Sequence, residues 1–320
     1  MRFDEDPLLM RSQLVRTGTS DSEIRTATRN GTMKRIRRGA FAESSALQAL
    51  GPEDRHVLRT RAHANAAGGR LVVSHQSAAL VHGIALWAPD LQRVHFTVGR
   101  SGGGRKTGGR HVHPAPLVDD DIVNIRGLSV TSPSRTVADL CRALPFEAAV
   151  CATDSALAKK LVSIESVTEA LNRRGRRNIA KALRALHFSS EHSESVGESR
   201  CRVQLHHAGF DHPELQVDLY TKGGAFLARV DFLLAQYGVI IEFDGMVKYS
   251  KYLKPGQTPA AAVVAEKKRE DALRAHGWIV LRLTWSDLEN PDRLVSKLRA
   301  SIELAAALPT PRTVVRPSAR

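Results

Sequence analysis

Apolar and polar positions fall into blocks along the chain, and each block predicts an element. Near the N-terminus, Asp6-Pro7 can cap and begin a helix whose apolar side is Leu8, Leu9, Leu14 and Val15; Thr17-Gly18 ends it. Ser20 and Glu23 have capping-box spacing for a second helix, Asp21–Arg29, which Asn30-Gly31 stops. Thr32–Ala42 sets Met33, Ile36 and Phe41 among cations and predicts a short two-stranded ribbon.

The middle of the chain alternates between helical and strand periods. Glu53–Ala67 and Ser74–Ile84 read as helices, with a short strand at Leu71–Val73 between them. Val94–Val98 (VHFTV) alternates as a strand, and Val130–Leu140 runs through Pro133 into a helix. Further helices are predicted at Phe146–Ala158, Ser163–Arg173 and Asn178–Leu186. Ser189–Ser195 (SSEHSES) is polar and reads as a linker.

Beyond it, Ser195–His207 predicts a helix and Leu215–Tyr220 an alternating strand. Phe226–Gly245 predicts two strands joined by a tight turn at Gln236-Tyr237. A symmetric turn places Asp231 opposite Glu242, with Asp244 two steps on along the same face. A bulge at Gly238 would shift that register by one. Glu266–His276 reads as a charged helix ended by Gly277, Trp278–Trp285 as a strand, and Asn290-Pro291 opens a last helix to about Leu304.

Composition narrows the class. With 320 residues, two or three domains are expected. No apolar run approaches the roughly 18–20 residues that span a bilayer, and the acidic start, Asp4 to Asp6, does not suit a signal peptide. A cytoplasmic chain with no membrane association is expected. Three scattered cysteines form neither a disulfide framework nor a cysteine-based zinc site. The net charge of +14 points to a polyanionic partner, DNA. The charge is clustered at 21–40, 99–110 and 171–190. Candidate nucleic-acid contacts are Arg25, Arg29, Lys34, Arg35, Arg37 and Arg38, then Arg173, Arg174, Arg176 and Arg177. Gly99–Arg110 lacks the Gly-Lys-Ser/Thr of a phosphate-binding loop and reads as a flexible basic loop. His111 and His113 form an H-x-H pair for which spacing suggests no third metal ligand. Ser74 reads as a helix N-cap rather than a nucleophile.

Helix, turn, helix and basic ribbon is the order of a winged helix-turn-helix, which places the second helix in the major groove. A surface helical pair with a solvated charge run has the same pattern. The segment also resembles the N-terminal domain of AbiEi-type antitoxins, through the R-R-G-x-[FY]-A signature at Arg37–Ala42. Ser74–Ile84, the VHFTV strand and Ser132–Leu140 resemble the middle region of the same family.

In the hairpin, opposed carboxylates destabilise a sheet unless a cation lies between them. Mg²⁺ on Asp231 and Glu242 would suit phosphodiester hydrolysis, and a plain polar face is the other reading. The last third resembles the very-short-patch-repair-endonuclease-related domain of the PD-(D/E)XK superfamily. The motifs are Val230-Asp231-Phe232, Ile241–Gly245, Glu266–Glu270 and Gly277–Trp285. The resemblance implies Asp231 and Glu242 as metal-binding acids and Glu198 as the first-helix acid, although Ser195 and Glu198 also have capping-box spacing. Asp244 stands where an E-x-K motif has its lysine; Lys248 and Lys267 are the lysines placed to substitute.

The expected fold class is a multi-domain α+β chain. It comprises a winged helix-turn-helix (1–50), a mixed α/β middle domain (51–188), a restriction-endonuclease-like α/β/α domain (189–305) and a disordered basic tail (306–320). The expected function is DNA binding with Mg²⁺-dependent endonuclease-like chemistry and no small-molecule cofactor. The alternative is a non-catalytic, antitoxin-like repressor, with a cognate toxin protein as a further partner.

Overall fold

The computed structural model describes residues 7–69, 71–99, 104–173, 175–210, 213–245 and 259–308. Arg174, Lys248 and the tail from 309 onward lie outside the described residues. The chain is a mixed α+β protein that divides into two compact units, 1–191 and 192–320. The division falls inside Ser189–Ser195. Among the described residues, no helix is long and apolar enough to cross a membrane.

The first unit runs β1 (Leu9–Met10), α1 (Arg11–Arg16), α2 (Asp21–Arg29), β2 (Met33–Arg37), β3 (Ala40–Glu43), α3 (Ser44–Ala49) and α4 (Pro52–Ala67). It continues with β4 (Val72–Val73), α5 (His75–Val81), β5 (Val94–Val98), β6 (Arg105–Thr107), β7 (Arg110–Pro114), β8 (Ile122–Ile125) and β9 (Leu128–Thr131). Four helices close it: α6 (Pro133–Ala143), α7 (Phe146–Ala158), α8 (Ile164–Asn172) and α9 (Ile179–Phe188).

The capping box at α2 forms as expected, with Ser20 Oγ accepting from the Glu23 amide and Glu23 accepting from the Ser20 amide at 2.7 Å. The first helix is shorter than expected. Leu9 and Met10 instead pair with Phe41 and Ala40, which makes the ribbon a three-stranded sheet in the order β1-β3-β2. Packing supplies the reason: Leu8 is buried with Ala40 and Ala42 against Leu58 and Ala62 of α4. That shared core also keeps 1–50 and 51–188 in one unit.

A six-stranded sheet, β6-β7-β5-β4-β9-β8, forms the centre of this unit. Val94 and Phe96 face the core with Val57, Ala78 and Val130, so His95 and Thr97 take the opposite face. The stretch Arg105–Thr107, expected as loop, pairs instead as a strand with β7, closed by Gly108-Gly109. Lys106 therefore opens no helix.

The second unit runs α10 (Val196–His207), β10 (Glu214–Tyr220), β11 (Phe226–Leu234), β12 (Val239–Phe243), α11 (Pro259–Ala275), β13 (Ile279–Leu283), α12 (Trp285–Leu288) and α13 (Pro291–Ala306). The sheet order is β10-β11-β12-β13, and β12 and β13 are parallel with α11 as their crossover. Both faces are apolar. Phe232, Leu234, Val239 and Ile241 pack against Cys201 and Leu205 of α10 and Leu294 of α13. Val230, Leu233 and Ile240 pack against Leu273 of α11. The hairpin register is the one the symmetric turn predicts, with Phe232 opposite Ile241 and Leu234 opposite Val239. Gly238, at φ 69°, absorbs the turn without shifting it.

Candidate functional site

Three groups of chemistry-bearing side chains stand out, two in the first unit and one in the second. The first is basic. Arg25 and Arg29 are exposed on α2, Lys34 and Arg35 are exposed on β2, and Arg38 follows them into the turn. Arg37 is half-buried and donates to the Ala62 carbonyl at 3.4 Å. Together with Arg38, Arg105 and Arg110 it lines a cleft of about 850 Å³ that also holds His63. None of these four arginines forms an ion pair among the described residues. Burial and then Arg110 hold Arg37 below its usual range, and burial with Arg37, Arg110 and Arg59 pushes His63 down to about 4. Like charges gathered without counterions attract an external anion. Arg173 lies 3.6 Å from the buried Asp121, whereas Arg176 and Arg177 are exposed and line a second cleft of about 660 Å³.

The second unit holds the carboxylates. Gly197 lets the start of α10 sit directly on Phe243, since a Cβ there would lie 1.9 Å from the ring. This close approach brings Glu198 to the hairpin. Gln216, at a left-handed φ of 49°, donates from Nε2 to Glu198 Oε2 at 3.1 Å and to Asp231 Oδ1 at 3.3 Å. Asp231 Oδ2 accepts from the Phe243 amide at 3.0 Å. Glu198 also accepts from Ser195 Oγ and the Glu194 amide, so the capping role and the site role coexist. Burial pushes Glu198, Asp231 and Glu242 all above the ordinary carboxylate range.

Glu242 has a different environment. A single nitrogen of Arg269, Nη2, contacts its two oxygens at 2.6 and 2.7 Å, and Arg282 lies 3.7 Å away. Arg269 and Arg282 also bond Glu266, and Arg282 bonds Glu270. Glu266 and then Glu242 hold the Arg269 guanidinium firmly in its charged form. Lys267 is exposed and reaches neither Asp231 nor Glu242. Asp244 is half-buried, and its amide donates to the Leu283 carbonyl. Among the described residues, Glu198, Asp231 and Glu242 do not close into a cluster of metal-ligand spacing. Sequence reading missed Gln216 and Arg269. Arg269 lies inside the Glu266–Glu270 motif; Gln216 carries no motif.

The cluster that has such spacing is made of histidines. Ligand atoms of His75, His95 and His113 all lie within 4.8 Å of one another. His113 of the H-x-H pair on β7 thus finds partners from β5 and from the start of α5. A detectable signal was present: His95, His111 and His113 all occupy off-core positions of alternating strands.

No protein-family model matches the chain, and no curated protein matches it. Among solved structures, the Rv2827c protein from Mycobacterium tuberculosis is similar at 16 % identity with a TM-score of 0.39, covering 62 % of this chain and 76 % of its own. Likeness at that level establishes neither fold nor function.

Proposed function

We propose that this chain is a DNA-binding regulator of the antitoxin-like kind, in which the C-terminal unit keeps a nuclease-type carboxylate set without cutting. The observation that carries the reading is the state of Glu242, whose two oxygens are both engaged by Arg269 while no lysine among the described residues reaches the carboxylates. Mg²⁺ needs free carboxylate oxygens and octahedral space. Here Asp231 is engaged by Phe243 and Gln216, and a guanidinium sits on Glu242, so the residues do not fit that ion as they stand. DNA binding is assigned to the first unit. A winged helix-turn-helix reading is supported by α2, the three-stranded sheet and the exposed cations of β2. The unpaired arginines of the larger cleft supply the phosphate contacts. A toxin protein is the natural second partner in this reading.

A Mg²⁺-dependent endonuclease is the second reading. It is favoured by Glu198 and Asp231 meeting on a residue with strained backbone, because strain concentrates at functional sites. Fluorescence anisotropy on a random duplex library, followed by selection, separates the two. A regulator should select a preferred sequence, bind it in a salt-sensitive way and be indifferent to Glu242→Ala. Absence of any preference over random DNA counts against it, and Mg²⁺-dependent cleavage that Asp231→Ala abolishes installs the nuclease reading instead.

A further inference from the structure

The histidine cluster belongs to none of this. β5 and β7 run parallel, with His95 beside His111 and Thr97 beside His113, so all four side chains project from one face of the sheet. His75 joins them from the first residue of α5, at a left-handed φ of 52°. A non-glycine residue held there carries roughly 1–3 kcal/mol of strain, of the kind that clusters at active sites and ligand clamps. The rings are close: His75 stacks on His113 at 3.8 Å between centroids, and His95 Nδ1 lies 3.0 Å from His113 Nε2. Two nitrogens bound to one tetrahedral zinc at 2.0–2.1 Å stand about 3.3 Å apart, so that pair already has ligand spacing.

We propose that His75, His95 and His113 form a binding site for a divalent transition metal of the zinc type, with its fourth position open to the second cleft. Three observations besides the spacing support it. His75 Nδ1 is engaged by Ser74 Oγ at 3.0 Å, a contact that leaves Nε2 as the ligating nitrogen, and the buried Asp139 lies 4.0 Å behind it. Asp139 is in turn held by Arg135 Nε at 3.2 Å, which fixes that support in place. Next to His113, on the same face, the fully buried Thr97 hydroxyl has no hydrogen-bond partner among the described residues. The cleft reaches His75 and His113 directly, and Arg142 and Arg176 on its walls make an oxyanion or water the natural fourth ligand. Imidazole ligands select zinc, copper, nickel or iron over Mg²⁺ or Ca²⁺, and three histidines with an open position is the donor set of a zinc site that takes an exchangeable ligand.

The test uses the untagged full chain, stripped with a chelator and titrated with Zn²⁺ against a chromogenic competitor. One zinc per chain is expected, and cobalt substitution should give the visible absorption of a four-coordinate site. His113→Ala and His95→Gln should each weaken zinc by about 100-fold or more, with metal-free circular dichroism and melting unchanged. Asp231→Ala and Glu242→Ala should leave the affinity as it is, which separates this site from the carboxylates. Failure to retain zinc, or zinc retained equally by His95→Gln and His113→Ala, overturns the proposal.

Discussion

The candidate sites of the two units treat their ionisable groups in opposite ways. In the second, Glu242, Arg269, Arg282 and Glu266 close a network in which acids and bases neutralise one another, and Gln216 ties Glu198 to Asp231. In the first, Arg37, Arg38, Arg105 and Arg110 gather in one cleft without a counterion among the described residues, and His75, His95 and His113 stack against one another. A self-satisfied network is a stability device; groups of one kind held together without compensation are a site prepared for something from outside. The difference is the basis for proposing ligand binding in the first unit.

The largest effect should come from breaking the closed network. Arg269→Ala leaves Glu242, 9 % exposed, without its main partner, and should destabilise the second unit by about 3 kcal/mol in chemical denaturation, since an orphaned buried charge is strongly unfavourable. Arg269→Ala at no loss of stability would end the claim that the pair is structural.

Next comes acidification of the first unit. His56 is almost fully buried, with Nε2 at 2.8 Å from Ser77 Oγ and Nδ1 at 3.2 Å from the Leu91 carbonyl, and burial pushes it down to about 4 against an ordinary 6.5. Its folded pKa lies below its unfolded one, so the unfolded chain binds the extra proton in between. The contribution of His56 is intact above about 6.5 and is lost as pH drops toward 4, about 3 kcal/mol over that window. Arg59 opposes protonation and Asp90 favours it. His56→Gln should reduce the slope in thermal melts taken across that range, leaving the part that His63 and His95 contribute; an unchanged slope would show that His56 does not take part.

Gly197→Ala is a smaller perturbation of the same kind as the first. Its methyl group would meet the Phe243 ring, and the strain should cost about 1–3 kcal/mol while pulling Glu198 away from Gln216. Denaturant unfolding compared with Gly175→Ala, at a position where a Cβ meets nothing within 4 Å, gives the control. Smallest is the effect of single cleft arginines. Arg105→Ala or Arg110→Ala should weaken DNA binding uniformly across sequences and lower the salt slope by about 1 each. An unchanged slope in binding isotherms at several salt concentrations would move the phosphate contacts elsewhere.

Much of the fold was legible because its signals are local. The Ser20/Glu23 capping box, the alternation of VHFTV and the tight turn before Gly238 each determine their own element, and the turn also determines which residues face each other across the hairpin. The sites were legible only in part. Asp231 and Glu242 are readable from motifs, but what their oxygens touch depends on where α11 packs, which no local pattern encodes. The first helix departs from its local pattern for the same reason: Leu8 obeys the core under α4 rather than its own neighbours. The histidine trio is the extreme case. Its members are brought together by the parallel pairing of β5 with β7 and by the strained entry to α5, both long-range features.

One measurement bears most directly on the division of labour between the units: supercoiled plasmid incubated with the purified chain in Mg²⁺, with binding and strand breakage read on the same gels for the wild type, Arg269→Ala and Asp231→Ala. A retarded, intact plasmid is expected in all three. Nicking by the wild type that disappears in Asp231→Ala would contradict it.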